Sequence, residues 1–175
     1  MTVPSTRRSL PLLVLSATLL GMAPASAEDG VRFLDPLTDE PIEFEYRPDQ
    51  EITPAVEKMH ATGENAYLGE EQAILDGEAT YKKLCQACHM PDGSGRIGPS
   101  LIDDQHKYER TGSQKGMFEI VYVGGAGAMQ AFGRRIDQDE ILKVLAYVET
   151  LKQARKAGSG AGRARARAVS GSRPD

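Results

Sequence analysis

The sequence predicts a mostly α chain of short helices and long loops, preceded by an irregular extension. Three observations predict it. Several segments carry apolar residues at helical spacing between recognisable caps. Loops dense in Gly and Pro separate them, including about 25 residues that follow Cys88. Aromatic residues are few, with 6 Tyr, 4 Phe and no Trp. Loops that long need something to pack against, and a buried cofactor would supply it.

The elements follow in order. Residues 1–27 read as an export signal. Arg7 and Arg8 form a basic start, "LPLLVLSATLLGMA" is an apolar run too short to span a bilayer, and "ASA" places small residues before a cut at Glu28. Residues 28–70 are an acidic extension, rich in Pro, with "PIEFEY" (41–46) as material for one short strand pair. Within it Thr53 caps a short helix, Pro54 takes its first position and Gly63 stops it.

The main domain spans 71–157. A helix runs from Leu75 through "LDGEATYKKLCQAC", and another covers Ser113 to Gly125. The last begins at Asp137, where Glu140 stands at capping-box spacing, and ends at Gly158. Ile141, Leu142, Val144, Leu145, Val148 and Leu151 make its apolar stripe. Residues 158–175, built of Gly, Ser, Ala and Arg, read as a disordered basic tail because they offer little apolar surface to bury.

Charge is uneven. Residues 28–78 hold 15 acids and 3 bases, net −12, whereas 79–157 hold 9 acids and 12 bases, net +3. Four spaced arginines in the tail are too few to imply a nucleic-acid partner, and stable membrane insertion is not expected once the signal is removed.

The chemistry sits in "CQACHMPDGSGRIGPSL" (85–101), which holds both cysteines of the chain. A zinc site needs about four ligands, and His60 and His106 have no partner spacing. A redox dithiol belongs at a strand end in an alternating α/β chain. A disulfide across two residues is strained and staples little. C-x-x-C-H is the c-type haem attachment signature. Residues three apart at a helix end point the same way, so Cys85 and Cys88 can form thioethers to one haem c, with His89 as iron ligand. Using both thiols suits an oxidising periplasm.

The rest of the main domain resembles a class I cytochrome c. "IGPSL" (97–101) matches the loop after the haem motif, where a proline carbonyl accepts the hydrogen bond of the proximal histidine; the resemblance gives that role to Pro99. "GAMQAFGRRIDQDEILKVLAYVETL" (127–151) resembles the distal-methionine loop and C-terminal helix. By that resemblance Met129 is the sixth ligand, although Gln130 replaces the usual following proline. Gly77, Tyr81 and Tyr147 stand where the family's first and last helices cross, and read equally as plain core. Of the other candidates, Met90 adjoins His89 and cannot reach the opposite face, Met117 lies inside a helix, and His106 would give bis-histidine ligation.

"DPLTDEPIEF", "TPAVEKMHATGENAYLGEE" and "GPSLIDDQHKYERTGSQKGMFEIVYVGGAGAM" narrow the resemblance to the cytochrome c-L family. Two departures stand out: a shorter distal loop, and "QHKY" (105–108) where members usually carry tryptophan. The resemblance implies a periplasmic electron carrier rather than an enzyme. It would take single electrons from a PQQ-dependent methanol or alcohol dehydrogenase, using calcium or a lanthanide, and pass them to a downstream cytochrome c or terminal oxidase. A general periplasmic cytochrome c, or a haem enzyme or sensor, are the alternatives. The charge asymmetry further suggests that the acidic extension lies beside the haem edge and steers the donor to it.

Overall fold

The computed structural model describes residues 31–170, with side chains described through residue 159. The export-signal reading of residues 1–27 falls outside them. The elements are α1 (Pro54–Thr62), α2 (Glu71–Leu84), α3 (Gln86–His89), a 3-10 turn (Glu109–Gly112), α4 (Gln114–Val123) and α5 (Gln138–Ser170). Among the described residues the extended structure is one antiparallel bridge, Leu34 to Pro41. No described helix is long and apolar enough to cross a membrane.

The caps follow local chemistry. Thr53 Oγ1 accepts from the Val56 N–H at 3.3 Å, and Gly63 ends α1 at φ 73°, a conformation that favours glycine. Ser113 Oγ accepts from the Gly116 N–H at 3.0 Å to start α4. Glu140 Oε2 accepts from the Asp137 N–H at 3.2 Å, the return half of a capping box for α5.

Two expectations change. The helix through the cysteine motif breaks at Cys85. The Cys85 carbonyl accepts from both Cys88 N–H (3.1 Å) and His89 N–H (3.0 Å), which turns the last residues into a separate short helix. At the other end, α5 does not stop at Gly158; its backbone stays helical to Ser170, where the sequence reading placed a disordered tail. A glycine ends a helix by adopting positive φ, and Gly158 does not. A mid-helix glycine costs only about 1 kcal/mol, and the Ala- and Arg-rich stretch that follows favours helix.

The α2–α5 crossing organises the main domain. A Cβ at Gly77 would run into the Lys143 carbonyl and the Val144 nitrogen, so the two backbones touch there. Beside the crossing Tyr81 is fully buried, its ring 5.3 Å from Tyr147, and its hydroxyl donates to the Met90 carbonyl at 2.7 Å.

The extension belongs to the core. Phe33 packs with Val56 and Met59 of α1, Phe118 and Tyr122 of α4, and Leu142 of α5. Phe44 stacks on His60 at 4.4 Å and meets Tyr122 edge-on at 5.0 Å. Each such aromatic stabilises by about 2 kcal/mol on burial. Glu119, fully buried on α4, accepts from the Leu34 N–H at 2.9 Å and pairs with Lys115, whose ammonium also donates to the Arg32 carbonyl at 2.8 Å. A buried carboxylate needs such partners to offset its lost hydration.

The connector to α2 docks on the start of α5. Tyr67 and Thr53 donate to Asp139 Oδ1 at 2.5 and 2.7 Å, and the Lys143 ammonium lies 3.0 Å from Oδ2. Burial raises the Asp139 pKa, but these bonds and the Lys143 charge outweigh it, leaving the carboxyl below its ordinary range.

Two predictions follow from this packing. Gly77→Ala should lose about 3 kcal/mol of stability in guanidinium unfolding, because backbone cannot yield as a side chain can; a loss near zero would mean the helices do not touch. For Asp139 the lowered folded pKa places its contribution above the unfolded value of about 3.9, to be lost as pH falls through the folded value. The stability gap between the protein and Asp139→Asn should therefore be flat from about pH 7 to 5 and shrink below about pH 4; a gap independent of pH throughout would refute the pairing.

Candidate functional site

One cavity of about 410 Å³ opens between α2, α4, α5 and the loops after α3 and α4. Its walls bring together all five residues singled out in the sequence: Cys85, Cys88, His89, Pro99 and Met129. Both cysteines are half-buried and do not form a disulfide. Burial, with Cys88 nearby, pushes the Cys85 thiol up to about 11, so it is a neutral thiol in an apolar wall. A redox dithiol has its attacking thiol shifted the other way.

His89 is buried, and its Nδ1 lies 2.9 Å from the Pro99 carbonyl. A carbonyl can only accept, so Nδ1 carries the proton and Nε2 is left as a lone-pair donor. Gly98 lets the ring sit there: a Cβ on it would lie 2.5 Å from His89 Cε1. The sequence reading quoted "IGPSL" for its proline and missed the glycine before it; small size beside a predicted ligand was the available signal.

Met129 sits in the loop after α4. Its carbonyl accepts from the Gly125 N–H at 3.0 Å, and Gly124 and Gly127 take φ of 91° and 92° to make the turn. A Cβ on Gly125 would lie 3.5 Å from the Met129 sulfur, so the side chain folds over its own loop. Tyr108 Oη accepts from the Ala126 N–H at 3.0 Å, and Arg135 donates to Gln130 Oε1 at 2.5 Å. Tyr108 belongs to the QHKY stretch and Gln130 takes the place of the usual proline, so two of the departures noted above support this loop. Met117 lines the cavity from α4 as a second thioether, His106 lies at its wall, and Met90 is not among the lining residues.

The donor set suits an iron porphyrin: two thiols at C-x-x-C spacing, a neutral imidazole with its remote nitrogen fixed, and a thioether, around a largely apolar space. Among the described residues, no group of three or more His, Cys, Asp or Glu is placed to hold a bare metal ion.

The extension does not line the cavity. Among the described residues, no lining residue precedes Tyr81. On α4 the cavity takes Met117, Ile120 and Val121, whereas the extension bonds to Glu119 and Tyr122. The extension meets the rim from outside, through Asp39 at Arg110 and Glu45 at Arg134.

A family model described as "Cytochrome C oxidase, cbb3-type, subunit III" matches residues 72–148. Cytochrome c-L of Methylorubrum extorquens is 30% identical over 146 residues, covering 79% of this chain and 74% of that protein. The crystal structure of cytochrome cL from the marine methylotroph Methylophaga aminisulfidivorans matches with a TM-score of 0.66 and 32% identity, over 69% of this chain and 80% of that one. The cytochrome cL structure from Hyphomicrobium denitrificans matches at 0.65 and 29%, over 69% and 73% of the two chains.

With His89 as the iron ligand that the sequence suggests, Gly98→Ala should tilt its ring and weaken that ligation about tenfold, as loss of an orienting partner does. In the haem-loaded protein the acid-induced loss of the low-spin spectrum should then move up by about one pH unit. Gly112→Ala, where the nearest atom to the new methyl is 3.5 Å away on His106, serves as the control and should leave it in place.

Proposed function

The chain belongs to the cytochrome c-L family and has the class I cytochrome c fold, and from that premise we propose that it carries single electrons from a PQQ-dependent methanol or alcohol dehydrogenase to a downstream cytochrome c or terminal oxidase. The reading places it in the periplasm, on the strength of the export signal in the sequence. The observation that carries it is the convergence of Cys85, Cys88, His89 and Met129 on one cavity.

Cys85 and Cys88 would hold one haem c by thioethers, and His89 and Met129 would hold its iron. When bound, that haem supplies a reversible one-electron ferric–ferrous couple. The residues do the rest. Pro99 holds the His89 proton on Nδ1, which keeps Nε2 basic and aimed. Met129 offers a soft thioether, a donor that favours the reduced state and raises the potential. The apolar walls would keep water from the group, and His89 and Met129 would both be engaged in holding it. Ile97, lining the cavity and 66% exposed, gives a partner an apolar edge to press against.

A carrier serving an oxidase directly is the second reading, favoured by the description of the family model matched over residues 72–148. Steady-state reduction by purified quinoprotein alcohol dehydrogenases separates the two. Fast reduction that saturates with protein concentration is expected; reduction no faster than that of an unrelated cytochrome c would sink the donor assignment. In the same preparation the haem should stay on the polypeptide through acid–acetone extraction, and Cys85→Ala with Cys88→Ala should abolish that retention.

A further inference from the structure

The acidic extension reaches one part of the site from behind. We propose that Phe44 to Arg47 form a strap that positions the distal loop and so holds Met129 over the cavity; this rests on the reading of Met129 as axial ligand.

The loop is short and anchored at both ends. It leaves α4 at Gly124 and returns through Phe132 and Gly133, whose N–H groups donate to the Val121 and Tyr122 carbonyls at 3.0 Å each. Gly133 lies flat on the Tyr122 ring, where a Cβ would come within 2.5 Å of Cε2. Met129 is four residues from that anchor. Any freedom at the return therefore passes directly to its side chain.

The strap fixes the return from the outside. The Glu45 N–H donates to Tyr122 Oη at 2.8 Å, on the ring against which Gly133 rests. The Glu45 carboxylate pairs with Arg134 at 2.5 Å, and Arg47 pairs with Asp137, the residue that caps α5. Phe44 seats the segment edge-on against Tyr122 and face-on against His60. Every one of these contacts falls on Tyr122, on the stretch from 134 to 137, or on α1, and none of the strap residues lines the cavity. Glu45 and Arg47 are thus positioning residues, acting through the loop's end.

Exposed ion pairs contribute modestly, so the effect should be graded. Imidazole binding to the oxidised haem-loaded protein reports how readily the loop lets Met129 go, and is read as loss of the sulfur-to-iron band near 700 nm. Glu45→Gln should raise imidazole affinity about threefold, and Glu45→Gln with Arg47→Gln about tenfold. High salt should bring the unmodified protein toward the variants. Exchanging the pair, Glu45→Arg with Arg134→Glu, should restore the original affinity, while Arg134→Glu alone should not. Far-UV melting of each variant separates positioning from packing. A lowered melting temperature with imidazole affinity within about twofold of the original would overturn the strap, as would an exchange that fails to restore it. Met129→Ala is the remaining arm: it should abolish the band in every background. A surviving band would overturn the ligand assignment itself and the strap with it, whereas loss of the band with unaltered imidazole affinity in the strap variants would overturn the strap alone.

Discussion

The backbone contact between α2 and α5 at Gly77 is the constraint on which the site depends. It fixes where α2 ends, and the residues that follow that end are Cys85, Cys88 and His89. It also fixes which face of α5 looks into the cavity, since Val144, Leu145 and Val148 follow directly from the crossing. Tyr81 carries the constraint further. Buried beside the crossing, it holds the Met90 carbonyl, and Met90 takes a φ of 66° that a non-glycine residue adopts only where its surroundings impose it. That turn sends the chain away from His89 and brings it back at Gly98 and Pro99, where it meets the imidazole. One glycine therefore sets the thiols, the imidazole and the carbonyl that orients it.

The second half of the site has different support. The distal loop owes little to the α2–α5 crossing. It hangs from α4, is braced by Tyr108 and Arg135, and is backed by the extension through Tyr122. On the proposed reading, His89 stands beside two cysteines that would hold the haem, whereas Met129 stands on a loop, so the two would have unequal freedom. Local opening free energies are lowest where few apolar contacts hold a segment, and Ala126, Gly127, Ala128 and Gln130 are all exposed. The distal ligand is the one that small changes in packing can move, which is why the residues bracing it matter more than their modest individual energies suggest.

Local chemistry was legible in the sequence, and long-range chemistry was not. Thr53, Gly63, Ser113 and Glu140 act on neighbours a few residues away, so their patterns name their roles. The C-x-x-C-H residues were legible as a group because their spacing is local, and they do fall on one cavity wall. Met129, which reaches the same cavity, was singled out through resemblance alone, because a methionine in a Gly-rich loop carries no local mark of ligation. The Cys85 break, the helix continuing past Gly158 and the burial of Glu119 were all missed. Glu119 shows why. On the sequence it is one more acid on a helix with a lysine one turn before it; the Leu34 N–H that it accepts from, and the Arg32 carbonyl that the Lys115 ammonium also grips, come from a segment more than 80 residues away.

The charge asymmetry also has a structural side. A net of −12 over residues 28–78 is real, but a count along the chain does not say which way the field points. Asp39 pairs with Arg110, Glu45 with Arg134 and Asp76 with Lys143, so part of the asymmetry is spent internally, tying the extension and α2 to the rest of the fold. Part of what remains exposed, Glu71 for example, lies on α2, the helix that leads into the cysteine motif. The extension's effect on the site travels by contact, through Tyr122 and the return of the distal loop, where ionic strength acts on the pairs themselves.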